Sequence, residues 1–354
     1  MGKKKGVMAA LLSVLLLFAI ENCFAVLNAS VEVQLVPNSA TAEMISKISE
    51  LEIYNTVYRL QNFATRKYET SGNAEAASYL YGRLENISGL EVEYQGTYRN
   101  IIATLPGNDT TSNAVYMVGA HYDSTSSNLN RAPGAIDNGG GCAIVLELAR
   151  IMSQYSFRNT IKFAFWNREE DGVLGSRDYV NNAMPANLKL YFNYDSAVLN
   201  TAKVLDIEYD DHSIADMLTQ QNKLYSIDLQ LNYNGHYGCG VTCGSDYIPF
   251  RDAGITWVMT HQQVTAGTPT PDNGADHAYE HTPEDTVDKI STAFAKKNGQ
   301  LGMSTIAKLA EGGQGNLLQV SEFPTSPILA LLTLETFVAT LLVVIVSRGR
   351  RNIK

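Results

Sequence analysis

Segments with the apolar spacing of an amphipathic helix alternate along the chain with short runs of β-branched and aromatic residues. This alternation predicts an α/β fold in which a mixed, largely parallel sheet is sandwiched by helices. The predicted helices are 42–60, 74–84, 139–153, 172–181, 212–221 and 285–309. The predicted strands are 100–107, 114–120, 160–165, 188–194, 204–208 and 255–259.

Polar residues follow three of these strands where each strand ends: His121, the pair Glu169-Glu170, and Asp195. Ligands of open α/β sheets bind beyond the carboxyl ends of the strands, so we expect these side chains to meet. Glu169 and Glu170 begin a loop and point in different directions, so one can bind a metal ion while the other reaches a water molecule. Hydrolysis of an unactivated amide needs both a Lewis acid and a general base. Exposed acidic pairs are nevertheless also common in loops without any catalytic role.

Three further residues complete a candidate metal site. Asp123 lies two residues after His121, a spacing at which a carboxylate can fix the tautomer of a metal-binding histidine. Asp137 lies in a glycine-rich turn before a predicted helix, where an aspartate is commonly a cap but can also bridge two ions. His281 lies just ahead of the last predicted helix. Taken alone, His121 is more often a surface histidine near a helix cap.

Together these positions offer five metal ligands, of which three are carboxylates. One zinc ion with an open coordination position needs three protein ligands, so five ligands with one bridging suffice for two ions. Three negative ligands against four positive charges leave a positive centre, which favours hydroxide over water at neutral pH. The predicted cofactor is therefore two zinc ions per chain, bound by His121, Asp137, Glu170, Asp195 and His281.

Composition and charge narrow the class of protein. With 45% hydrophobic and 18% charged residues, the 354-residue chain has the composition of a folded globular protein. Its net charge of -9 and the lack of a basic stripe argue against nucleic acid as a partner.

The two ends of the chain predict a secreted protein with a membrane anchor. Residues 1–25 have the basic start, apolar middle and small-residue end of a signal peptide, although an uncleaved anchor is an alternative. A folded domain over 26–311 and a Gly- and Pro-containing stalk over 312–326 follow. Residues 327–346 are long and apolar enough to span a bilayer, and the basic tail 347–354 would be cytoplasmic. We expect the folded domain at the cell surface.

Two observations qualify the predicted anchor and its setting. Glu335 lies near the middle of the apolar segment, where a carboxylate must be protonated or paired, and a buried core helix is the alternative. Cys239 and Cys243 are close enough for a local disulfide in an oxidising compartment, with a zinc site as the competing interpretation. Cys142 is expected to be a buried free thiol. Glycosylation sequons begin at Asn28, Asn86 and Asn108.

The order of the motifs resembles the secreted di-zinc, leucyl aminopeptidase-like enzymes of peptidase family M28. The motifs are His-x-Asp at 121–123, Gly-Ala-Ile-Asp-Asn-Gly at 134–139, Trp-x-x-Glu-Glu-x-Gly at 166–172, Asn-Tyr-Asp at 193–195 and His-Thr-Pro-x-Asp-Thr at 281–286. The resemblance covers roughly residues 45–310 and implies the three-layer zinc-exopeptidase fold.

The same resemblance implies a role for each candidate residue. Asp137 would bridge the two metal ions, and a cis peptide bond would follow it, at Asp137-Asn138. His121 and Asp195 would complete one zinc site, and Glu170 and His281 the other. Glu169 would be the general base, and Asp123 would orient His121.

Two departures from the family pattern leave the oxyanion-stabilising residue unassigned. Tyr247 stands where a histidine often follows the Ser-Asp pair, and Val241 stands where some relatives place a tyrosine that steadies the oxyanion. Tyr237, Tyr247 and His261 are the candidates for this role.

The sequence therefore predicts a membrane-anchored extracellular aminopeptidase that removes N-terminal residues from peptides with a free N-terminus. Three alternatives stay open: a carboxypeptidase of the same family, a single-zinc glutaminyl cyclase-like enzyme, and a non-catalytic receptor or scaffold ectodomain. A carboxypeptidase would need a basic residue to bind the terminal carboxylate, and the sequence does not identify one. Non-catalytic relatives lose metal ligands, whereas this chain keeps all five. The preferred N-terminal residue and the oligomeric state do not follow from the sequence.

Overall fold

The computed structural model describes residues 34–233, 244–263, 277–311 and 318–319. The predicted signal peptide, membrane span, basic tail and Cys239–Cys243 pair lie outside these residues, as does most of the predicted stalk. Among the described residues, no helix combines the length and apolar character needed to cross a bilayer. The domain boundaries stay predictions.

Eight α-helices occur within the described part of the chain. They are α1 Ser39–Ser46, α2 Glu50–Gln61, α3 Ser71–Glu85, α4 Gly141–Met152, α5 Leu174–Asn182, α6 His212–Leu224, α7 Tyr247–Asp252 and α8 Thr292–Ala310. A π-helical turn at Ala135–Gly140 leads into α4, and a 3₁₀ turn at Val287–Lys289 precedes α8.

Ten strands accompany these helices in the described residues. They are β1 Gln34–Leu35, β2 Glu91–Gln95, β3 Asn100–Leu105, β4 Val115–His121, β5 Thr160–Trp166, β6 Leu188–Tyr194, β7 Val204–Tyr209, β8 Leu231–Tyr233, β9 Thr256–Gln263 and β10 Leu318–Gln319. β1 and β10 pair with each other antiparallel in a small separate unit.

The other strands form one sheet in the order β2-β3-β5-β4-β6-β9-β7-β8. The four central strands, β5, β4, β6 and β9, run parallel. The antiparallel contacts join β2 to β3, β3 to β5, and β9 to β7. The predicted mixed, largely parallel α/β sheet is therefore confirmed.

Alternation along the strands divides the apolar residues between two cores, one on each face of the sheet. In β5, Phe163 and Phe165 belong to the larger core, whereas Ala164 and Trp166 belong to the smaller one. Residues of α1, α2, α3, α4, α6 and α8 build the larger core, and α5 and α7 cover the smaller. Successive side chains of a strand point to opposite faces, so strands buried on both sides read as continuous apolar runs.

Two predicted helices are wrong in their extent, and a serine cap explains each error. The predicted helix 42–60 is two helices: the first ends at Ser46, and Ser49 caps α2 by accepting a hydrogen bond from Glu52 N (3.2 Å). The predicted helix 285–309 begins only at α8, because Ser291 caps that helix by accepting from Phe294 N. Residues 285–290 therefore lie outside α8, in a connection that contains the 3₁₀ turn and lies beside the site described below.

Two predictions about surface and core chemistry can be compared with the described residues. Cys142 is a buried free thiol, as predicted, and its Sγ donates a hydrogen bond to the carbonyl of His121 (3.0 Å). The sequon asparagines Asn86 and Asn108 are exposed, as an acceptor of glycan must be, whereas Asn28 lies outside the described residues.

Candidate metal centre

The carboxyl ends of three adjacent parallel strands bring the predicted residues together. His121 is the last residue of β4, Asp195 directly follows β6, and Glu169 and Glu170 lie in the loop after β5. Since β4 pairs with both β5 and β6, the three chain segments leave the sheet side by side. The expected meeting point at this edge is confirmed.

Two groups of possible metal ligands lie at this edge, and they share one residue. In the first triad, His121 Nε2 is 3.1 Å from Asp137 Oδ1 and 3.3 Å from Asp195 Oδ1. In the second triad, His281 Nε2 is 3.0 Å from Asp137 Oδ2 and 3.0 Å from Glu170 Oε2. Within each triad the ligand atoms lie within 4.8 Å of one another. Asp137 therefore presents one carboxylate oxygen to each triad.

The loop that carries Asp137 is fixed by its glycine and by an aspartate from the far end of the domain. Gly134 has φ 54°, and a Cβ there would lie 2.5 Å from the carbonyl oxygen of Asp137, so only glycine fits. Asp285 accepts hydrogen bonds from Ile136 N (2.7 Å) and Asp137 N (3.1 Å). The Asp137-Asn138 peptide bond is cis, as the resemblance implied.

A buried arginine joins this loop to the end of β4. The guanidinium of Arg66 donates to the carbonyls of Tyr122 (2.7 Å), Pro133 (2.5 Å) and Gly134 (2.8 Å). Buried carbonyls require such partners, and bonds from a charged donor are the stronger kind. Arg66 therefore couples the position of the His121 strand end to that of the Asp137 loop.

Asp123 contacts both the histidine and the glutamate pair. Its Oδ1 lies 3.5 Å from His121 Nδ1, on the ring side opposite the triad. The same oxygen accepts from Glu169 N (3.2 Å), and Oδ2 accepts from Glu170 N (3.3 Å). Asp123 thus contacts His121 Nδ1 through its carboxylate and, at 3.3 Å, through its backbone carbonyl, and its carboxylate holds the path of the Glu169-Glu170 backbone. Its predicted role in orienting His121 stays a prediction.

The two remaining carboxylate ligands each have one oxygen held by a neighbour. Ser245 Oγ donates to Asp195 Oδ2 at 2.5 Å, and Thr125 N donates to Glu170 Oε1 at 3.1 Å. In both cases the other oxygen is the one that faces the histidine of its triad. Each carboxylate is therefore oriented before any ion binds.

The electrostatics of the centre favour positive charge between its carboxylates. Burial, reinforced by repulsion from Asp137, raises the pKa of Glu170 to about 7. Burial also raises the pKa of Glu169 well above its ordinary value, and the nearby Asp195 and Asp246 carboxylates add to that rise. Hydrogen bonds to Asp137 and Glu170 raise the pKa of His281 to about 11. Cations are thus stabilised where carboxylates are crowded and desolvated.

The donor set suits zinc, which binds imidazole nitrogen and carboxylate oxygen in sites of three protein ligands with an open position. Each triad supplies three such donors. The side chain of His121 is only 1% exposed, whereas that of His281 is 59% exposed. The centre is therefore closed on the sheet side and open to solvent on the side of the second triad.

Several supporting residues were not predicted from the sequence. Asp285 belongs to the His-Thr-Pro-x-Asp-Thr motif and Ser245 to the Ser-Asp pair before Tyr247, and these motifs could have marked them. Arg66 carries no such signal, because its partners are carbonyls from two distant segments. Of the oxyanion candidates, Tyr247 stacks on Trp257 and His261 pairs with Asp206, so both have structural contacts. Tyr237 lies outside the described residues.

Comparison with known proteins gives the family and two named relatives. The family model described as peptidase family M28 matches residues 100–306, more than half of the chain. A probable zinc metalloprotease of Pyrenophora teres f. teres is 30% identical over 209 residues, covering 51% of this chain and 45% of the relative. A probable leucine aminopeptidase of Arthroderma otae is 24% identical over 282 residues, 75% of each. The chain thus spans about half of the first relative's length.

Solved structures with the same architecture include the LapA aminopeptidase of Legionella pneumophila. Its TM-score is 0.66 and its sequence identity is 18%, and the match covers 79% of this chain and 76% of that one. A glutaminyl cyclase of Porphyromonas gingivalis has a TM-score of 0.62 at 19% identity over 74% of this chain and 98% of that one. At these identities the likeness shows the fold alone. The match of the family model over the sheet and both triads identifies this chain as a member of peptidase family M28.

Proposed function

We propose that this chain is an aminopeptidase that carries two zinc ions, one in each triad. The proposal rests on the way the two carboxylate oxygens of Asp137 face different histidines: Oδ1 faces His121, and Oδ2 faces His281. A carboxylate shared in this way, with a histidine and a second carboxylate on either side, suits a pair of cations. The relatives named as zinc metalloprotease and leucine aminopeptidase support zinc and this reaction class.

When bound, zinc would supply Lewis-acid polarisation of the scissile carbonyl and would acidify water at the centre. Glu169 belongs to neither triad, yet its backbone is fixed by Asp123 beside His121. We assign it the proton transfers: it takes a proton from the attacking water and returns that proton to the leaving amine. A carboxylate that lies beside the centre but belongs to neither triad is free to exchange protons with water there.

The proposed substrates are peptides with a free N-terminus. The exposed side of His281 offers an approach to the centre from solvent, and the relative named as a leucine aminopeptidase supports a substrate with a free amine. A free amine occurs only at the N-terminus of a peptide backbone, so an enzyme that requires it cleaves only at that end and is an exopeptidase. The side chain preferred at the cleaved end stays open.

Location is a separate proposal that rests on the two ends of the sequence. The signal-like residues 1–25 and the apolar residues 327–346 with their basic tail support a surface protein whose catalytic domain faces outward. The exposed sequon asparagines Asn86 and Asn108 are compatible with that location. If both asparagines carry glycans, glycosidase treatment should increase the gel mobility of the protein. That result would independently support an extracellular location.

The glutaminyl cyclase-like alternative differs in metal count, since it requires one zinc ion. Both triads of this chain are complete, and each has its own histidine, which favours two ions. A non-catalytic scaffold would bind no zinc. Metal content of the purified chain therefore distinguishes the three.

The test of the reaction uses matched pairs of amino-acid p-nitroanilides, one with a free amine and one with an acetylated amine. We expect hydrolysis of the free substrates only, and loss of that activity when a chelator removes zinc. The control is the chelated enzyme after zinc is restored, which should regain its rate. Equal hydrolysis of acetylated substrates would refute an aminopeptidase.

A further inference from the structure

A continuous chain of hydrogen bonds, buried except at its last bond, leads from the smaller core to Asp195. The Trp166 indole Nε1 is 2.7 Å from Tyr191 OH, and Tyr191 OH is 2.7 Å from Asn193 Oδ1. Asn193 Nδ2 is 2.7 Å from Ser245 Oγ, which is 2.5 Å from Asp195 Oδ2. These five side chains, from Trp166 to Asp195, are called the relay below.

The direction of every bond in the relay follows from its first member. An indole N–H can only donate, so the oxygen of Tyr191 accepts and its single proton goes to Asn193. The atom of Asn193 that receives this proton must be its oxygen, which leaves the amide NH₂ to donate to Ser245. Ser245 accepts that bond, so its own proton goes to Asp195 Oδ2. The donor-only indole thus determines that Asp195 receives a proton donor from this side.

Burial keeps the relay intact. Trp166, Tyr191 and Asn193 are inaccessible to solvent, and Ser245 is buried as well. In the first three bonds of the relay, water therefore cannot replace a missing partner, and a broken bond leaves a buried polar group unpaired. Burial also raises the pKa of Tyr191 well above its ordinary value, so its hydroxyl keeps the proton that it donates.

The relay ends on one oxygen of a residue whose other oxygen belongs to the first triad. Ser245 holds Oδ2 of Asp195, and Oδ1 faces His121 at 3.3 Å. We propose that the relay is a positioning device for the first triad: Trp166 and Tyr191, through Asn193 and Ser245, orient Asp195 and set the zinc affinity of that triad alone. The second triad receives no bond from the relay. This inference shares one assumption with the proposed function, which is that the triads bind zinc.

Tyr179 offers a matched control on the same face of the sheet. It is buried in the same aromatic cluster as Tyr191, and its ring centroid lies 5.2 Å from that of Trp166. Its hydroxyl makes no hydrogen bond within the described residues. Tyr179→Phe therefore removes the same atom from the same core as Tyr191→Phe, without interrupting the relay.

The experiment measures zinc affinity of the full chain by competition with a chromogenic chelator. Partners that orient metal ligands typically contribute 10- to 100-fold to affinity, so we expect Tyr191→Phe to weaken one of two zinc sites by about tenfold or more. Tyr179→Phe should change neither site. In a His281→Ala background, which leaves only the first triad complete, the single remaining affinity should fall on Tyr191→Phe. Ser245→Ala removes the last bond of the relay and should weaken the same site. It provides a second test in case Tyr191→Phe does not fold.

Each outcome bears on the relay separately from the proposed function. Two unaltered affinities in a folded Tyr191→Phe variant would overturn the relay, even if Ser245→Ala weakens the first triad, and would leave the proposed function standing. An equal loss at both sites would also overturn it, because a general disturbance of the fold would then explain the result. A wild-type chain with one zinc ion, whose affinity falls in Tyr191→Phe, would support the relay and refute the two-ion centre. A wild-type chain that binds no zinc would refute both.

Discussion

Replacing Glu169 with glutamine is expected to lower kcat by about 10²- to 10⁴-fold, the usual contribution of general acid–base catalysis. Glutamine keeps the shape of the side chain but can neither take a proton from water nor return one to the leaving amine. Both triads exclude Glu169, so two zinc ions should stay bound. The measurement pairs steady-state kinetics on a free-amine p-nitroanilide with zinc content by mass spectrometry.

The neighbouring carboxylate supplies the control for this substitution. Glu170→Gln changes the same chemical group one residue along, but Glu170 Oε2 lies 3.0 Å from His281 Nε2 in the second triad. That variant should lose zinc from the second triad, whereas Glu169→Gln should not. A Glu169→Gln enzyme that retains most of its rate would exclude Glu169 as the base, whatever its metal content.

Removing the Asp137 carboxylate is expected to empty both zinc sites. Asp137→Ala takes one oxygen from each triad, which leaves His121 with Asp195 and Glu170 with His281. Two ligands fall short of the three that zinc sites of this kind use, so zinc content after dialysis should fall from two ions to roughly zero and activity should disappear.

The comparison variant for Asp137→Ala is His281→Ala. His281 contacts only the second triad, so its removal should cost one zinc ion and leave the other in place. The contrast between the loss of two ions and the loss of one is specific to a bridging carboxylate. An Asp137→Ala chain that still binds two zinc ions would rule out bridging, and equal losses in the two variants would do the same.

The meeting of the candidate ligands could be predicted from sequence because two independent regularities mark their positions. Strand ends of a parallel sheet share one edge, which brings His121, Glu170 and Asp195 together. Local motifs then single out Asp137 in its glycine-rich turn and His281 before the last helix. Strand ends and local motifs can both be recognised in a single sequence, because neither depends on contacts between distant side chains.

The residues that hold those ligands in place could not be predicted in the same way. Arg66 acts on carbonyl groups, and any residue has a carbonyl, so no residue type or spacing identifies its partners. The link between Asn193 and Ser245 joins residues 52 positions apart and depends on side-chain rotamers. Such contacts are determined by tertiary packing, which the periodicity of a single chain does not encode.

The helix boundaries failed for a related reason. Apolar spacing continues through Ser49 and through residues 285–290, so periodicity alone predicts uninterrupted helices there. The serine hydroxyls of Ser49 and Ser291 instead cap new helices. The second error concealed Asp285, whose carboxylate accepts two hydrogen bonds from the Asp137 loop instead of belonging to a helix.

Two zinc ions on either side of one carboxylate are the central feature of the proposed centre. A crystal of the purified full chain, with diffraction recorded at the zinc absorption edge, tests this directly. We expect two anomalous peaks about 3.5–4 Å apart, the usual spacing of paired catalytic metals, flanking Asp137 with one peak beside His121 and the other beside His281. A single peak, or two peaks that do not share Asp137, would contradict a two-zinc centre with Asp137 between the ions.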